Sequence, residues 1–485
     1  AGHAVVAVHA DPSCRQLEVV EGHPWRAYRF APDQDGHYVS LLAELEAQGV
    51  RPDRIVYAWT TPAEDAASQP VSARHASVFR LIQALIRVGW HSGLQENRSL
   101  TLDLVTPGLY DDGVSAIVPE SYALAGLSLV VPQELPDLHV RCLDMASVPR
   151  SAWLAELVAP PDRARFVAYR GARRWVRSYE PVPSSERSGL IRPQGTYLIT
   201  GGLGDVGLLL ARHLVREFEA NVVLMSRSEV PHREAWEALR HDSSDPWLRR
   251  RIEGLRRIEE AGGQPMVVVG DVGSEQDVRR VLSEARDRFG RVDGVLHAAA
   301  VSGAASSERT LDALTLDDVH EQFYAKVQGA RALAAALRGA DLDVCVLFSS
   351  NAAVLGGLGF GAYAPANAML DAFAAQQSRD GKVPWISASW DGWPEFPDVE
   401  ATSGDQPQSR MDAFAMTADA ACAAFERVLA LASTPQVVVS TGPLEARRRQ
   451  WVTGTDPEAE DQGAEPPQYA RPSMRVDYVA PRTDT

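Results

Sequence analysis

The eight residues from Thr200 to Gly207, TGGLGDVG, constrain this chain more than any other stretch. They follow the apolar run Tyr197-Leu198-Ile199 and precede Leu208-Leu209-Leu210-Ala211, so the order is strand, glycine-rich turn, helix. A turn of this kind lets backbone N–H groups and the positive end of a helix dipole approach a pyrophosphate closely. Thr200, Gly201, Gly202, Gly204, Val206 and Gly207 are therefore candidate cofactor contacts. Asp205 places a carboxylate in the same turn. A negative charge is favoured in a first helical turn, and its side chain is expected to face solvent or a capping N–H rather than phosphate.

The turn sits at the first strand of a restarted alternation. Strands are expected at 196–200, 221–226, 265–271, 294–299, 344–350 and 384–390, with helices near 207–219, 273–289, 317–338 and 361–380. That pattern predicts a doubly wound α/β sheet whose ligand crevice lies at the carboxyl ends of its strands. A further helix near 417–432 and a strand at 436–441 are expected to close it. The charged insertion 229–262 contains an amphipathic helix, WLRRRIEGLRRIEEAGG, expected to pack on the neighbouring half. Its cluster Arg249-Arg250-Arg251 reads as a solvated helix face. Beyond Pro394 about two dozen residues lose periodicity, as lids do.

Residues 1–190 also alternate, but no glycine-rich turn follows any strand. Strands are expected at 4–10, 54–59, 100–106 and 127–132, and helices at 38–49 and 76–90. This half reads as the frame of a nucleotide fold without its phosphate site. The join EPVPSSERSGLIRPQG at 180–195 marks the boundary. The expected organisation is thus α/β with two Rossmann-like halves. A degenerate structural half (1–190) precedes a doubly wound, cofactor-binding catalytic half (191–454) and a linker-like tail (455–485).

Composition narrows the function classes. A net charge of −16 argues against a nucleic-acid surface. Four scattered cysteines carry no metal-ligand spacing, so no metal site is expected. No apolar run has the length of a membrane span, and the N-terminus lacks the pattern of a secretory signal. A reduced, cytoplasmic setting is expected.

Further site residues lie at strand exits. The second strand ends in MSRSE, where an arginine suits a 2′-phosphate and an acid a free 2′-hydroxyl. Ser226 and Arg227 there favour NADPH. Asp271 and Val272 follow the third strand, with Asp271 placed to contact adenine. His297-Ala298-Ala299-Ala300 ends the fourth, where Ala298 and Ala299 let a ribose lie against backbone. Reduction of a carbonyl also needs an acid for the nascent alkoxide. Tyr363, opening the helix AYAPANAMLDAF, is the candidate, with Ser349 or Ser350 to hold the carbonyl. A free phenol titrates at about 10, and a nearby lysine is expected to lower that.

Together these residues resemble the ketoreductase domains of modular polyketide synthases, in the extended short-chain dehydrogenase/reductase group. That family carries a TGGxGxxG turn, a lysine 24 residues before a serine, a tyrosine 13 after it and an asparagine four further on, matched here by Lys326, Ser350, Tyr363 and Asn367. The spacing selects Ser350 over Ser349. The resemblance implies Tyr363 as proton donor and Ser350 as carbonyl holder. It implies that Lys326 touches the nicotinamide ribose, lowers the tyrosine pKa and shares a proton relay with Asn367. It also implies NADPH as cofactor and a β-ketoacyl thioester on the phosphopantetheine of an acyl carrier protein domain, with neighbouring synthase domains as partners. The degenerate first half, the start without Met and the closing YARPSMRVDYVAPRTDT (469–485) suit a domain excised from such a synthase.

Asp205 stands where many relatives have glycine, and Ala300 where HAAG is usual. The LDD marker of one alcohol hand is missing from VSGAASS; the Leu316-Asp317-Asp318 triplet lies too far downstream. Leu355 replaces the tryptophan that marks the other hand. Absence of LDD favours that second hand. The competing readings are a non-reducing structural domain, which loss of Lys326, Ser350 or Tyr363 would signal, and a stand-alone reductase of small ketones. Epimerase activity at the α-carbon would use the same site.

Overall fold

The computed structural model describes residues 4–59, 73–90, 99–111, 116–145, 148–159, 164–182, 190–301, 309–394 and 414–453. The segments 302–308, 395–413 and 454–485 are outside these, so the VSGAASS stretch, most of the expected lid and the tail are too.

The second half of the chain is built on one seven-stranded parallel sheet. In chain order the first half holds β1 (Val6–Ala10), β2 (Glu18–Val19), β3 (Arg26–Phe30), β4 (Arg54–Tyr57), β5 (Leu100–Val105), β6 (Leu138–Asp144), β7 (Phe166–Arg170) and β8 (Arg173–Val176). The second holds β9 (Thr196–Thr200), β10 (Asn221–Ser226), β11 (Met266–Val269), β12 (Gly294–His297), β13 (Val344–Ser350), β14 (Trp385–Trp390) and β15 (Gln436–Val439). The order of this second sheet is β11-β10-β9-β12-β13-β14-β15. Strand order reverses between β9 and β12, the place where such folds open a ligand crevice. Register aligns the strand exits there: Thr200 lies opposite Met225 on one side and His297 on the other.

The first half carries a five-stranded sheet, β4-β5-β6-β7-β8, parallel except for its last strand, and a separate small sheet β1-β3-β2. Its helices include His37–Ala47 and Ala73–Arg87. The segment 127–132, expected as a strand, is part of the helix Pro119–Glu134. Every residue from Ser121 to Val131 is buried. A helix enclosed on all sides loses its polar face, and a short apolar run then reads equally as strand or helix.

That helix crosses the helix Tyr363–Asp380 of the catalytic half at close range. A Cβ on Gly126 would stand 2.7 Å from Pro365 Cα. One apolar core accordingly joins the halves, including Leu124 and Leu127 from the first and Phe323, Ala366 and Met369 from the second. Among the described residues no helix is long and apolar enough to cross a membrane.

Candidate active site

The glycine turn folds as its residue types require. Gly201 has φ +69°, and a Cβ there would meet Ala299 Cα at 2.7 Å. Gly202 and Gly207 pack as tightly on Leu224 and on the turn itself. Gly204 differs: its nearest neighbour to an added Cβ is 3.3 Å away, it is exposed, and it lines a cavity of about 380 Å³. The helix Asp205–Phe218 starts directly after it. Val206, Ser226, Arg227, Asp271, Val272, Ala298 and Ala299 line the same cavity.

Thr200 and Gly202 lie behind the cavity wall. The buried Thr200 hydroxyl is 2.7 Å from His297 Nδ1, and His297 Nε2 is 2.9 Å from the Lys326 carbonyl. A carbonyl only accepts, so Nε2 carries the proton and Nδ1 accepts from Thr200. Burial holds His297 neutral, pushing its pKa down to about 4. This imidazole ties the glycine turn's strand to the lysine segment. The signal for it in the sequence was a lone polar residue in the apolar strand GVLHAA.

Lys326 lies in a π-helical turn, Tyr324–Gln328, inserted between the helices Leu316–Phe323 and Gly329–Ala336. One helix over 317–338 was expected; the extra residue per turn shifts the register and turns the buried lysine toward the site. Its Nζ donates to the Phe348 carbonyl at 3.0 Å and lies 5.6 Å from the Tyr363 ring centroid. Burial lowers its pKa to about 8, with Asp371 opposing the shift. Asp371 is a second residue not singled out in the sequence. Burial pushes its carboxyl up to about 6, while Ser387, Ser349 and Ser389 hydrogen-bond it and pull the other way.

Tyr363 opens its helix beside Ser350. Burial raises the phenol's pKa, and hydrogen bonds with Ser350 and Asn367 act in the opposite direction. Burial is the largest influence, so the phenol stands above its ordinary value rather than below it as expected. The strand's alternation separates the two serines. Ser350 pairs with Tyr363, whereas Ser349 Oγ donates to the Asn367 carbonyl at 3.2 Å. Asn367 donates to the Tyr363 carbonyl at 2.8 Å, and its buried Oδ1 has no hydrogen-bond partner. Lys326, Ser350, Tyr363 and Asn367 thus converge at the carboxyl edge of the sheet. Lys326 directly follows Ala325 in the chain, and Ala325 lines the cavity.

Asp205 lines the glycine-turn cavity, and its side chain is 29% exposed. It pairs with Arg250 at 3.4 Å, and the helix has no side-chain cap. Arg250 comes from the insertion helix Pro246–Glu260, which packs on the catalytic half's own Leu208 rather than on the neighbouring half. The arginine cluster is correspondingly divided. Arg249 is exposed, while Arg250 and Arg251 are half-buried and Arg251 lines the cavity. Asp271 also lines it, though its carboxylate is already engaged. Tyr324 donates to Oδ2 at 3.0 Å and the Gly273 N–H to Oδ1 at 2.9 Å.

The first half supports the site from outside. Gln133 Nε2 donates to the Leu355 carbonyl at 2.6 Å. Glu134 accepts from the Leu311 and Gly359 N–H groups at 2.7 and 2.9 Å. These contacts hold the segments on which Leu311, Leu355 and Gly359 lie, the last two just before Tyr363.

With this geometry in place, comparison with known proteins is decisive for the catalytic half, since residues 195–395 match the KR domain family. This segment is a KR domain. Over 400 residues, 80% of the chain, it is 31% identical to a phenolphthiocerol/phthiocerol polyketide synthase of Mycobacterium tuberculosis, covering 20% of that protein. Over 89% of the chain it is 26% identical to the polyketide synthase PksM of Bacillus subtilis, covering 9% of it. The chain therefore spans a fifth or less of the length of these relatives. Among solved structures it resembles A-type ketoreductases from a modular polyketide synthase, with TM-score 0.69, 24% identity and coverage of 93% and 91% of the two chains. It also resembles an N-terminal ketoreductase from the macrolactin assembly line, with TM-score 0.67, 20% identity and coverage of 93% and 83%. These likenesses show the Rossmann-like α/β fold around the KR domain.

Proposed function

We propose that the chain reduces the β-keto group of a polyketide thioester carried on the phosphopantetheine of an acyl carrier protein, with NADPH as cofactor and neighbouring synthase domains as partners. The convergence of Lys326, Ser350, Tyr363 and Asn367 beside the glycine-turn cavity carries this reading.

The residues fit the cofactor. Gly204 leaves room for close backbone approach, the helix from Asp205 presents its N-terminus, and Arg227 stands at the exit of β10 where a 2′-phosphate would lie. NADPH, when bound, supplies the hydride for the β-carbon. Ser350 holds the carbonyl oxygen by a hydrogen bond that strengthens as negative charge develops there. Tyr363 delivers its proton to that oxygen. Lys326 stabilises the phenolate left behind, and the open acceptor on Asn367 orients a water that restores the proton. The missing LDD marker favours the second alcohol hand, although Leu355 replaces the tryptophan that marks it.

The test is NADPH oxidation with a carrier-bound 2-methyl-3-ketoacyl thioester, with the product stereoisomers resolved. No oxidation would sink the reading. Tyr363→Phe is expected to abolish reduction while leaving NADPH binding nearly intact, and a variant working at the parent rate would remove the role given to the phenol.

A further inference from the structure

The insertion helix Pro246–Glu260 does more than cover apolar surface. Its inner stripe, Ile252, Leu255 and Ile258, is buried, and a Cβ on Gly254 would stand 2.6 Å from the Leu208 side chain. That close docking sets the rotation of the helix about its axis. Trp247 and Arg251, four residues apart and so on one face, then both line the cavity that also holds Ser226, Arg227 and Asp271. The Asp205–Arg250 pair fastens the same turn of the helix to the glycine turn.

Arg251 is the odd member of its surroundings. Arg240, Arg250, Arg256 and Arg257 each have a carboxylate partner. Arg251 has none among the described residues, and its Nε is buried without a hydrogen-bond partner. Arg249 also lacks one, but it is exposed and does not line the cavity. A half-buried guanidinium with no counter-charge has given up hydration without compensation. An anion in the cavity would supply that compensation. Arg227 and Ser226 line the same cavity, so it has two arginines and a serine in its lining, side chains suited to binding a phosphate dianion. Trp247, 49% exposed, offers a flat apolar face beside them.

We propose that Arg251 is a second ligand of the cofactor's 2′-phosphate and that Trp247 forms an outer wall against the adenine. The insertion helix thereby shares with Arg227 the preference for NADPH over NADH. This rests on the reading of the cavity as a dinucleotide site.

The experiment is calorimetric titration of the full chain with 2′,5′-ADP, NADPH and NADH, with melting temperatures to monitor folding. Arg251→Gln is expected to weaken 2′,5′-ADP and NADPH about tenfold, or about 1.4 kcal/mol, and to leave NADH nearly unchanged. Arg251→Lys, which keeps the charge but not the fork, is expected to recover part of that loss. Trp247→Ala is expected to weaken NADPH and NADH alike, by about fivefold. Arg249→Gln is the control and should change nothing. If Arg227→Ala weakens 2′,5′-ADP while Arg251→Gln binds it like the parent, the inference is overturned and the dinucleotide reading stands. If the parent binds neither 2′,5′-ADP nor NADPH, the dinucleotide reading fails and takes the inference with it.

Discussion

Gly126→Ala tests whether the first half of the chain controls the chemistry proposed for the second. A Cβ at this position would meet Pro365 Cα and N at 2.7 Å and the Ala364 carbonyl carbon at 2.8 Å. All three are backbone atoms of the tyrosine helix, so no side-chain rotation relieves the contact. Reaching an ordinary 3.4 Å separation requires the helices to part by about 0.7 Å. Overpacking of this kind costs about 1–3 kcal/mol, and the better helix propensity of alanine returns up to about 1 kcal/mol. The expected net loss is about 1–2 kcal/mol, seen as a fall of a few degrees in Tm. The larger effect falls on turnover, because Pro365 lies two residues from Tyr363. A displacement approaching 1 Å at a reacting group can cost about a hundredfold, so a tenfold or greater fall in kcat is expected. NADPH affinity should hold, since the glycine turn and Arg227 are on other elements. Parallel melting, NADPH titration and turnover of the carrier-bound ketoacyl thioester separate these effects. Parent-like Tm together with parent-like kcat would refute the argument that this crossing positions Tyr363.

Reduction is expected to fall as pH rises through about 8, because burial brings Lys326 to that pKa and the neutral amine no longer stabilises a phenolate; a rate profile flat across this value would remove Lys326 from that role. Asp205→Asn should leave NADPH affinity within about threefold of the parent, since Arg250 already compensates the carboxylate. Arg250→Gln should weaken NADPH more than Asp205→Asn does, by exposing that carboxylate to the phosphates, and calorimetry on the two variants would reverse this assignment if the order came out the other way.

Much of the molecule was legible before any coordinates. The strand–turn–helix around TGGLGDVG, the strands that follow it and the spacing of Lys326, Ser350, Tyr363 and Asn367 all depend on local chemistry. Glycine needs, apolar runs and fixed offsets are written along the chain, and the expected strands form one parallel sheet with β15 at its edge. The choice of Ser350 over Ser349 is of the same kind, since strand alternation sends neighbours to opposite faces.

What the sequence could not determine is which buried face meets which. Residues 119–134 show only that they are apolar, and it is their enclosure by the tyrosine helix that makes them a helix carrying Gln133 and Glu134 to the active-site loops. The π turn at Lys326 and the His297 bridge to Thr200 depend on groups 22 to 97 residues apart. The partner of Asp205 is not legible in its own turn, because Arg250 lies 45 residues further on in a helix that packs Gly254 against Leu208. Periodicity records that a side chain is buried or charged; only tertiary packing supplies the neighbour that decides what the charge does.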